Sequence, residues 1–304
     1  MGHNMTKTLV SGLTTFASVI EKIGGVFSTM DDHRRGSNTI YDVKDAALSA
    51  FSVFFMQSPS FLEYQRQMKD GQGRSNVDTL FGSHAVPSDN QIRALLDGVD
   101  PSSIDPAFYF ILNGLYDAKV IDQYRSVSAR VLIAMDGLQY FSSQKIHCPQ
   151  CSTRTRAEKI TYSHSAVTPV LVHPKQDKVI PLPPEFIVPQ DGHDKQDCEL
   201  NAARRWLKKH HDQYSRLKAT VLGDDLYCHE PFCRDLIGHG LAFILVCKPA
   251  SHSTTYEWIE MLERSQDVHT LTIRRWTGRR IEIDTYRYTS NVPLREADDA
   301  LMVN

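Results

Sequence analysis

Long apolar runs are missing from this 304-residue chain. The longest, Leu241 to Val246, is strand-sized, far short of the roughly 20 residues that a membrane-crossing helix needs. The start, MGHNMTKTLVSGLTTFASVIEKIGG, holds no compact apolar segment followed by a small-residue cleavage site, so the expectation is a cytoplasmic protein with no membrane partner. Cysteine is sparse as well: six residues are too few for a disulfide scaffold, and in a reducing compartment they would be thiols or metal ligands. An excess of either charge is also lacking. A formal net charge of -2 neither announces nor excludes a nucleic-acid partner, because phosphate is bound by a local basic face that acids elsewhere can balance. No internal repeat is visible. What is present is an ordinary globular composition, 41% hydrophobic and 23% charged, enough for a sizeable core in one large or two middling domains.

Residues 1–42 read as an N-terminal segment and linker: a helix-compatible stretch from Leu9 to Ile23, then the polar run DDHRRGSN. Residues 43–128 read as a helical domain, in VKDAALSAFSVFFMQ, FLEYQRQMK, SDNQIRALLDG and PAFYFILNGLY. Ser88 with Gln91 three residues on is a capping-box signal, and Gly98 marks that helix's end. The stretch GQGRSNVDTLFGSHAVPSDN, rich in Gly, Ser and Asn, reads as a mobile loop between the halves of this domain.

From residue 129 the texture changes. ARVLIAMDGLQYF is a buried-strand pattern with one acid near its end, and KITYSH, TPVLVHP and DKVIPL continue as strands. The amphipathic helix DKQDCELNAARRWLKKHHDQYSRL follows, then the strand KATVLGDDLY, a helix from His229 to Ile237, the strand LAFILVCK and the helix TTYEWIEMLERS. Strands first, then strands alternating with helices, predict an α/β domain over 129–304. HTLTIRRW and RRIEIDTYRY alternate around Thr277-Gly278 and predict a hairpin insertion at about 266–290.

Asp136 closes one apolar strand, and Asp224 with Asp225 closes another. A carboxylate is costly in a core but useful at a cleft, because ligands of α/β sheets collect outside the strands' carboxyl ends. A single Asp after a strand also simply caps a turn, so both readings stand at this point. Paired carboxylates suit Mg²⁺ or Mn²⁺, hard ions that prefer oxygen. Two such ions roughly 4 Å apart activate a water or a 3′-hydroxyl and stabilise the leaving oxygen, which makes phosphoryl transfer to and from DNA the natural reaction class.

The runs MDGLQYFSSQKIHCPQC, HDKQDCELNAARRWL and LGDDLYCHEPF, in this order after SDNQIRALLD, resemble a branch of bacterial insertion-sequence transposases with a DDE catalytic triad. The resemblance runs from about Ala46 to the end. It implies a ribonuclease-H-like mixed sheet with flanking helices, preceded by an all-helical DNA-binding N-terminal domain and ending in a β-rich insertion. It also implies cleavage and strand transfer at transposon ends with two bound Mg²⁺ or Mn²⁺ ions. The partners would be double-stranded DNA, as terminal inverted repeats and as target, and usually a second copy in a homodimer.

By motif matching, Asp136 is the first catalytic acid and metal ligand. Asp224, three residues before Tyr227, is the second, with Asp225 the near alternative. The family's third acid, a Glu on a helix after the insertion, has no counterpart, because only READDALMVN follows the hairpin. The expectation is a truncated, inactive copy. Glu257 and Glu260, on the helix after Leu241 to Lys248, are the in-chain substitutes, and they are equally plain solvent-facing positions of an amphipathic helix. Two alternatives remain: a non-catalytic remnant that occupies transposon ends, and a metal-dependent nuclease of the same fold with its third acid inside the chain.

Cys148 and Cys151, after His147, form a C-x-x-C that supplies two of the four ligands of a structural Zn²⁺; Cys228 and Cys233, near His229, are the expected others, against a reading as ordinary buried thiols. Arg274, Arg275, Trp276, Arg279 and Arg280, at the hairpin turn, are expected to reach DNA phosphates and to stack on an unpaired base. In RRWLKKHH, Trp206 and Leu207 are expected in the core, with Arg204, Arg205, Lys208 and Lys209 solvated. Asp194, Asp197 and Glu199 are explained by a favourable helix N-terminus, with a part in the metal site as a secondary reading. His164, His173 and His193 show no ligand spacing and receive no role.

Overall fold

The computed structural model describes residues 15–35, 40–69, 76–83, 86–189 and 197–304. The beginning of the expected first helix, from Leu9, lies outside them, as do His193 and Asp194. The chain divides into two compact units, 1–123 and 124–304.

The first unit is helical: α1 (Phe16–Phe27), α2 (Val43–Phe55), α3 (Phe61–Lys69), α4 (Asn76–Phe81), α5 (Asp89–Leu96) and α6 (Asp105–Asp117). Thr15, Asp42 and Ser88 each cap a helix, and each is answered by a side chain three residues on, which satisfies backbone donors that a helix start leaves open. Apolar positions on two faces of α2 set the packing. Ala47 and Leu48 pack with Ile20, Ile23, Phe27, Phe81 and Ala107, while Val43 and Ala46 pack with Ile92 and Leu95. The stretch expected as a mobile loop is therefore corrected in part: it contains α4, whose Phe81 is buried in that first cluster. Its Gly, Ser and Asn neighbours hid a short segment with one large apolar anchor; residues 70–75 and 84–85 lie outside the described part.

The second unit is α/β. Its strands are β1 (Val131–Ala134), β2 (Gly137–Ser143), β3 (Ser152–Arg156), β4 (Lys159–Val167), β5 (Val170–Val172), β6 (Ile180–Pro181) and β7 (Glu185–Ile187). Next come α7 (Glu199–Arg216), β8 (Ala219–Gly223), α8 (Glu230–Gly238), β9 (Ala242–Leu245) and α9 (Ser253–Arg264). The hairpin β10 (His269–Trp276) and β11 (Ile281–Tyr288) follows, then a short pair, β12 (Val292–Pro293) and β13 (Met302–Val303). A five-stranded mixed sheet runs in the order β6-β5-β1-β8-β9. β1 is antiparallel to β5 and parallel to β8, and β8 is parallel to β9. A second sheet runs β2-β4-β3, with β7 also on β4.

The single strand expected over 129–141 breaks at Met135 and Asp136, because the ribbon leaves one sheet for the other there. β1 pairs with β5, β2 pairs with β4, and the break on the partner side is Thr168-Pro169, where proline has no N–H to give the ladder. Thr168 N still donates to Asp136 O at 2.9 Å, so the two halves stay tied at the bend.

α7 anchors this unit. Its 3.6-residue period puts Ala202, Ala203, Trp206, Leu207, His210 and Tyr214 on one buried face. Trp206 Nε1 donates to Pro183 O at 2.8 Å, and its ring stacks on Tyr214 with centroids 4.8 Å apart. Lys208 and Lys209 are exposed as expected. Arg205 is a correction: it is partly buried, with Nε on Glu185 Oε1 at 3.0 Å and Nη2 on Asp197 Oδ2 at 2.7 Å. Helical position placed it towards β7, where a long side chain lies along apolar surface while its head finds acids.

Candidate active site

Asp136 and Asp224 stand at equal offsets from a register pair. Ala134 on β1 pairs with Leu222 on the parallel β8, and each aspartate lies two residues further on. Met135 N donates to Leu222 O at 2.9 Å, so the ladder still holds one residue before the acids. Both aspartates are exposed. Each makes a local turn bond: Asp136 Oδ1 accepts from Gly137 N, and Asp224 Oδ1 from Leu226 N, both at 2.9 Å.

A third carboxylate comes from α7. Glu199 begins that helix, and its carboxylate lies against the Gly137 Cα, occupying the space a Cβ there would need. Its Oε1 accepts from the Tyr227 hydroxyl at 2.5 Å. Tyr227 itself is buried, and Gly223 makes room for it: a Cβ at Gly223 would meet the Tyr227 ring at 2.9 Å. Burial pushes the Tyr227 phenol far up, and the Glu199 hydrogen bond and the charges of Glu199, Asp136 and Asp224 push it further. Three carboxylates thus act on one neutral phenol. Among the described residues none of the three carboxylates pairs with a Lys, Arg or His. A cavity of about 310 Å³ opens beside Glu199, lined also by Gly137, Gln139, Ser165 and Asp197.

The position of Glu199 follows from the residues around it. The Asp197 side chain is buried and accepts from Val188 N at 3.2 Å as well as from Arg205. This cross-link ties the start of α7 to the strand β7 and fixes where the helix begins. Asp197 lines the same cavity as Glu199, but its carboxylate is taken up by Arg205 and Val188 N.

Asp225 turns away from the cleft. Its carboxylate accepts from Lys248 N at 2.6 Å and Ser251 Oγ at 2.5 Å, clamping the loop between β9 and α9. Those two bonds hold its pKa below the ordinary carboxylate range. Glu257 and Glu260 are exposed on α9, with Glu260 3.9 Å from Arg264.

Five of the six cysteines fall into two groups, and Cys198 stands apart, exposed. Among the described residues, two trios of possible ligands have all their ligating atoms within 4.8 Å of one another: Cys148, Cys151 and His164, and Cys228, Cys247 and His252. The expected set of Cys148, Cys151, Cys228 and Cys233 is corrected, because Cys228 belongs to a separate apolar cluster with Cys233 and Leu294. His164, given no role from sequence, is the third member of the first trio. The sixteen positions between Cys148 and His164 hide a strand reversal that brings β4 back to the loop, which spacing alone does not reveal. The acids Asp136, Asp224 and Glu199 are spread more widely than either trio.

The hairpin forms around the expected turn, where Gly278 has φ +87°, and its register sets Trp276 opposite Ile281. Its arginines are not equivalent. Arg275 pairs with Asp284 at 2.7 Å and Arg280 with Glu282 at 3.2 Å, whereas Arg274 and Arg279 make no ion pair among the described residues. Trp276 is 67% exposed, so its ring is available for stacking. No protein-family model matches the chain, and no curated protein matches it.

Proposed function

We propose that the chain is a DNA-processing enzyme of the DDE transposase class, in which Asp136 and Asp224 hold divalent cations at the mouth of a ribonuclease-H-like sheet. The observation that carries this reading is their matched position, two residues past the Ala134 and Leu222 pair on adjacent parallel strands and open to solvent. The sheet order supports it: three antiparallel strands, then parallel β8 and β9 joined through α8, put the first and fourth core strands side by side. So does the donor chemistry. Three carboxylates without a cationic partner among the described residues suit hard cations. When bound, Mg²⁺ or Mn²⁺ would supply the charge that polarises a phosphodiester and activates a water or 3′-hydroxyl.

The chain's own residues divide the work. Asp136 and Asp224 hold metal from two strand ends, Glu199 adds a third carboxylate at the side of Gly137, and Tyr227 keeps Glu199 oriented. Arg274, Arg279 and Trp276 on the hairpin contact the DNA backbone and an unpaired base. The helical unit is the second DNA-binding part that the resemblance implies.

The test uses the full chain with Mn²⁺ and a plasmid carrying the DNA that flanks its own reading frame. Cleavage at the flanks and Mn²⁺ binding by calorimetry are expected, with both lost in Asp136→Asn and Asp224→Asn and both kept in Asp225→Asn. Cleavage that survives both changes would end this reading. Glu199 also favours a second one, a metal-dependent nuclease of the same fold, because it is an acid inside the chain that serves the site. Covalent joining of the cut 3′ ends to target DNA marks the transposase; nicks without joined products mark the nuclease.

A further inference from the structure

The trio of Cys148, Cys151 and His164 has the dimensions of a zinc site. Cys148 Sγ and Cys151 Sγ are 3.8 Å apart, and His164 Nε2 is 3.4 Å from the first and 3.3 Å from the second. A tetrahedral Zn²⁺ with bonds of about 2.3 Å to sulfur and 2.05 Å to nitrogen sets sulfurs about 3.8 Å apart and sulfur and nitrogen about 3.6 Å apart. The sulfurs match, and the imidazole needs to move by only about 0.2–0.3 Å. The backbone is shaped for it as well: Cys148 N points at Cys151 Sγ at 3.3 Å, and Cys151 N donates to Cys148 O at 3.2 Å, a turn that folds the C-x-x-C back on itself.

The imidazole is held in place by a β-bulge. β2 pairs with β4 as Gln139 with Ser165 and then Phe141 with His164, so Tyr140 is an extra residue in the ladder. Both rings at the bulge contact the histidine, Tyr140 stacked within 14° at 5.9 Å and Phe141 tilted at 5.6 Å. Such outer contacts fix the orientation of a metal-binding imidazole. His147 is turned away, its ring stacked on Tyr162 at 4.4 Å.

We infer that Cys148, Cys151 and His164 bind a Zn²⁺ that pins the loop between β2 and β3 onto β4, with an open fourth position, on the exposed side of Cys148, taken by water. The site is independent of the carboxylate cleft and of the function proposed for it. Its location gives it a purpose. β2 leaves Asp136 directly and its ladder with β4 runs from Gly137 opposite Val167 to Ser143 opposite Tyr162, so the ion anchors the outer end of the ribbon whose inner end carries the acid. The other trio lacks these features. Cys228 is buried among Leu294, Phe243 and Leu245, and burial pushes its thiol up to about 12, which opposes thiolate formation.

The test is metal analysis of the full chain purified without added metal, followed by removal of metal with a chelator and titration with Zn²⁺ and Co²⁺. Near one zinc per chain is expected, falling to near none in Cys148→Ser and in His164→Ala and unchanged in Cys228→Ser. The Co²⁺ form is expected to show the sulfur-to-metal absorption of two thiolates, lost in Cys148→Ser and kept in Cys228→Ser. Chelation of the wild-type chain is expected to lower its melting temperature and Zn²⁺ to restore it, a readout that needs no variant. A chain that neither carries zinc nor takes it up after chelation overturns the inference, as does zinc that disappears with Cys228→Ser and stays with Cys148→Ser.

Discussion

The Tyr227 hydroxyl donates to Glu199 Oε1 at 2.5 Å and so joins the loop after β8 to the first turn of α7. Two glycines permit this contact: Gly223 lets the phenol lie over the strand end, and Gly137 lets the carboxylate lie beside Asp136.

Removing the donor or filling the space separates stability from metal binding. Tyr227→Phe deletes a hydrogen bond to a charged acceptor and is expected to lower unfolding free energy by about 1.5–3 kcal/mol, towards the low end because Glu199 is only half-buried. Gly137→Ala would push the Glu199 carboxylate aside, and is expected to weaken Mn²⁺ binding more than it lowers stability. Urea unfolding and calorimetry read the two effects. Unchanged stability in Tyr227→Phe would mean that the bond carries no weight in solution.

Glu230 gives a pH dependence with a definite sign. Burial alone would raise its pKa, but hydrogen bonds from Arg295 and Arg234 outweigh burial and hold the carboxyl below the ordinary glutamate range. A folded-state pKa that is depressed adds stability above the unfolded-state value, and that stability is lost as pH falls through the folded-state value. Glu230→Gln is therefore expected to destabilise the second unit at pH 7 and to match the wild type in strongly acidic solution. Melting curves across that range decide it, and a gap that widens towards acid would refute the assignment.

The face of α7 can be tested with neighbours. Leu207 is 1% exposed, and Leu207→Ala is expected to cost about 2–5 kcal/mol through lost burial and the cavity left behind. Lys208 is exposed, and Lys208→Ala is expected to stay within about 0.5 kcal/mol of the wild type. Equal losses from the two would contradict the helical phase.

On the hairpin, pairing predicts a ranking among arginines. Arg274→Ala with Arg279→Ala is expected to weaken binding to duplex DNA and to make the salt dependence shallower by up to roughly two in log–log slope, one per phosphate contact. The same change at Arg275 and Arg280 is expected to do less, because Asp284 and Glu282 already neutralise them. Fluorescence anisotropy over a salt series measures both, and equal effects would remove the distinction.

Sequence pattern located most elements through apolar periodicity, even in β10, where every residue is exposed. α3 and β10 have the bounds that FLEYQRQMK and HTLTIRRW suggest, and the Ser88 cap with its Gln91 partner forms as spelled. β3 was not legible: STRTR is largely exposed and shows no apolar alternation, so only its pairing with β4 makes it a strand. Asp136 and Asp224 were legible as strand-end acids; their equal offsets from the Ala134 and Leu222 pair come from the register alone. Glu199 and His164 were not given their places. The first depends on where α7 starts, which the buried Asp197 and Arg205 decide, and the second on a bulge in the opposite strand. Tertiary partners of this kind leave no local periodicity to read.

The surplus position at Tyr140 means that chain length, as well as residue identity, shapes the surroundings of His164. A one-residue deletion there would leave the Gln139 with Ser165 and Phe141 with His164 partnerships intact, yet strip away one aromatic neighbour and the extra local twist. No point substitution has that combination of effects.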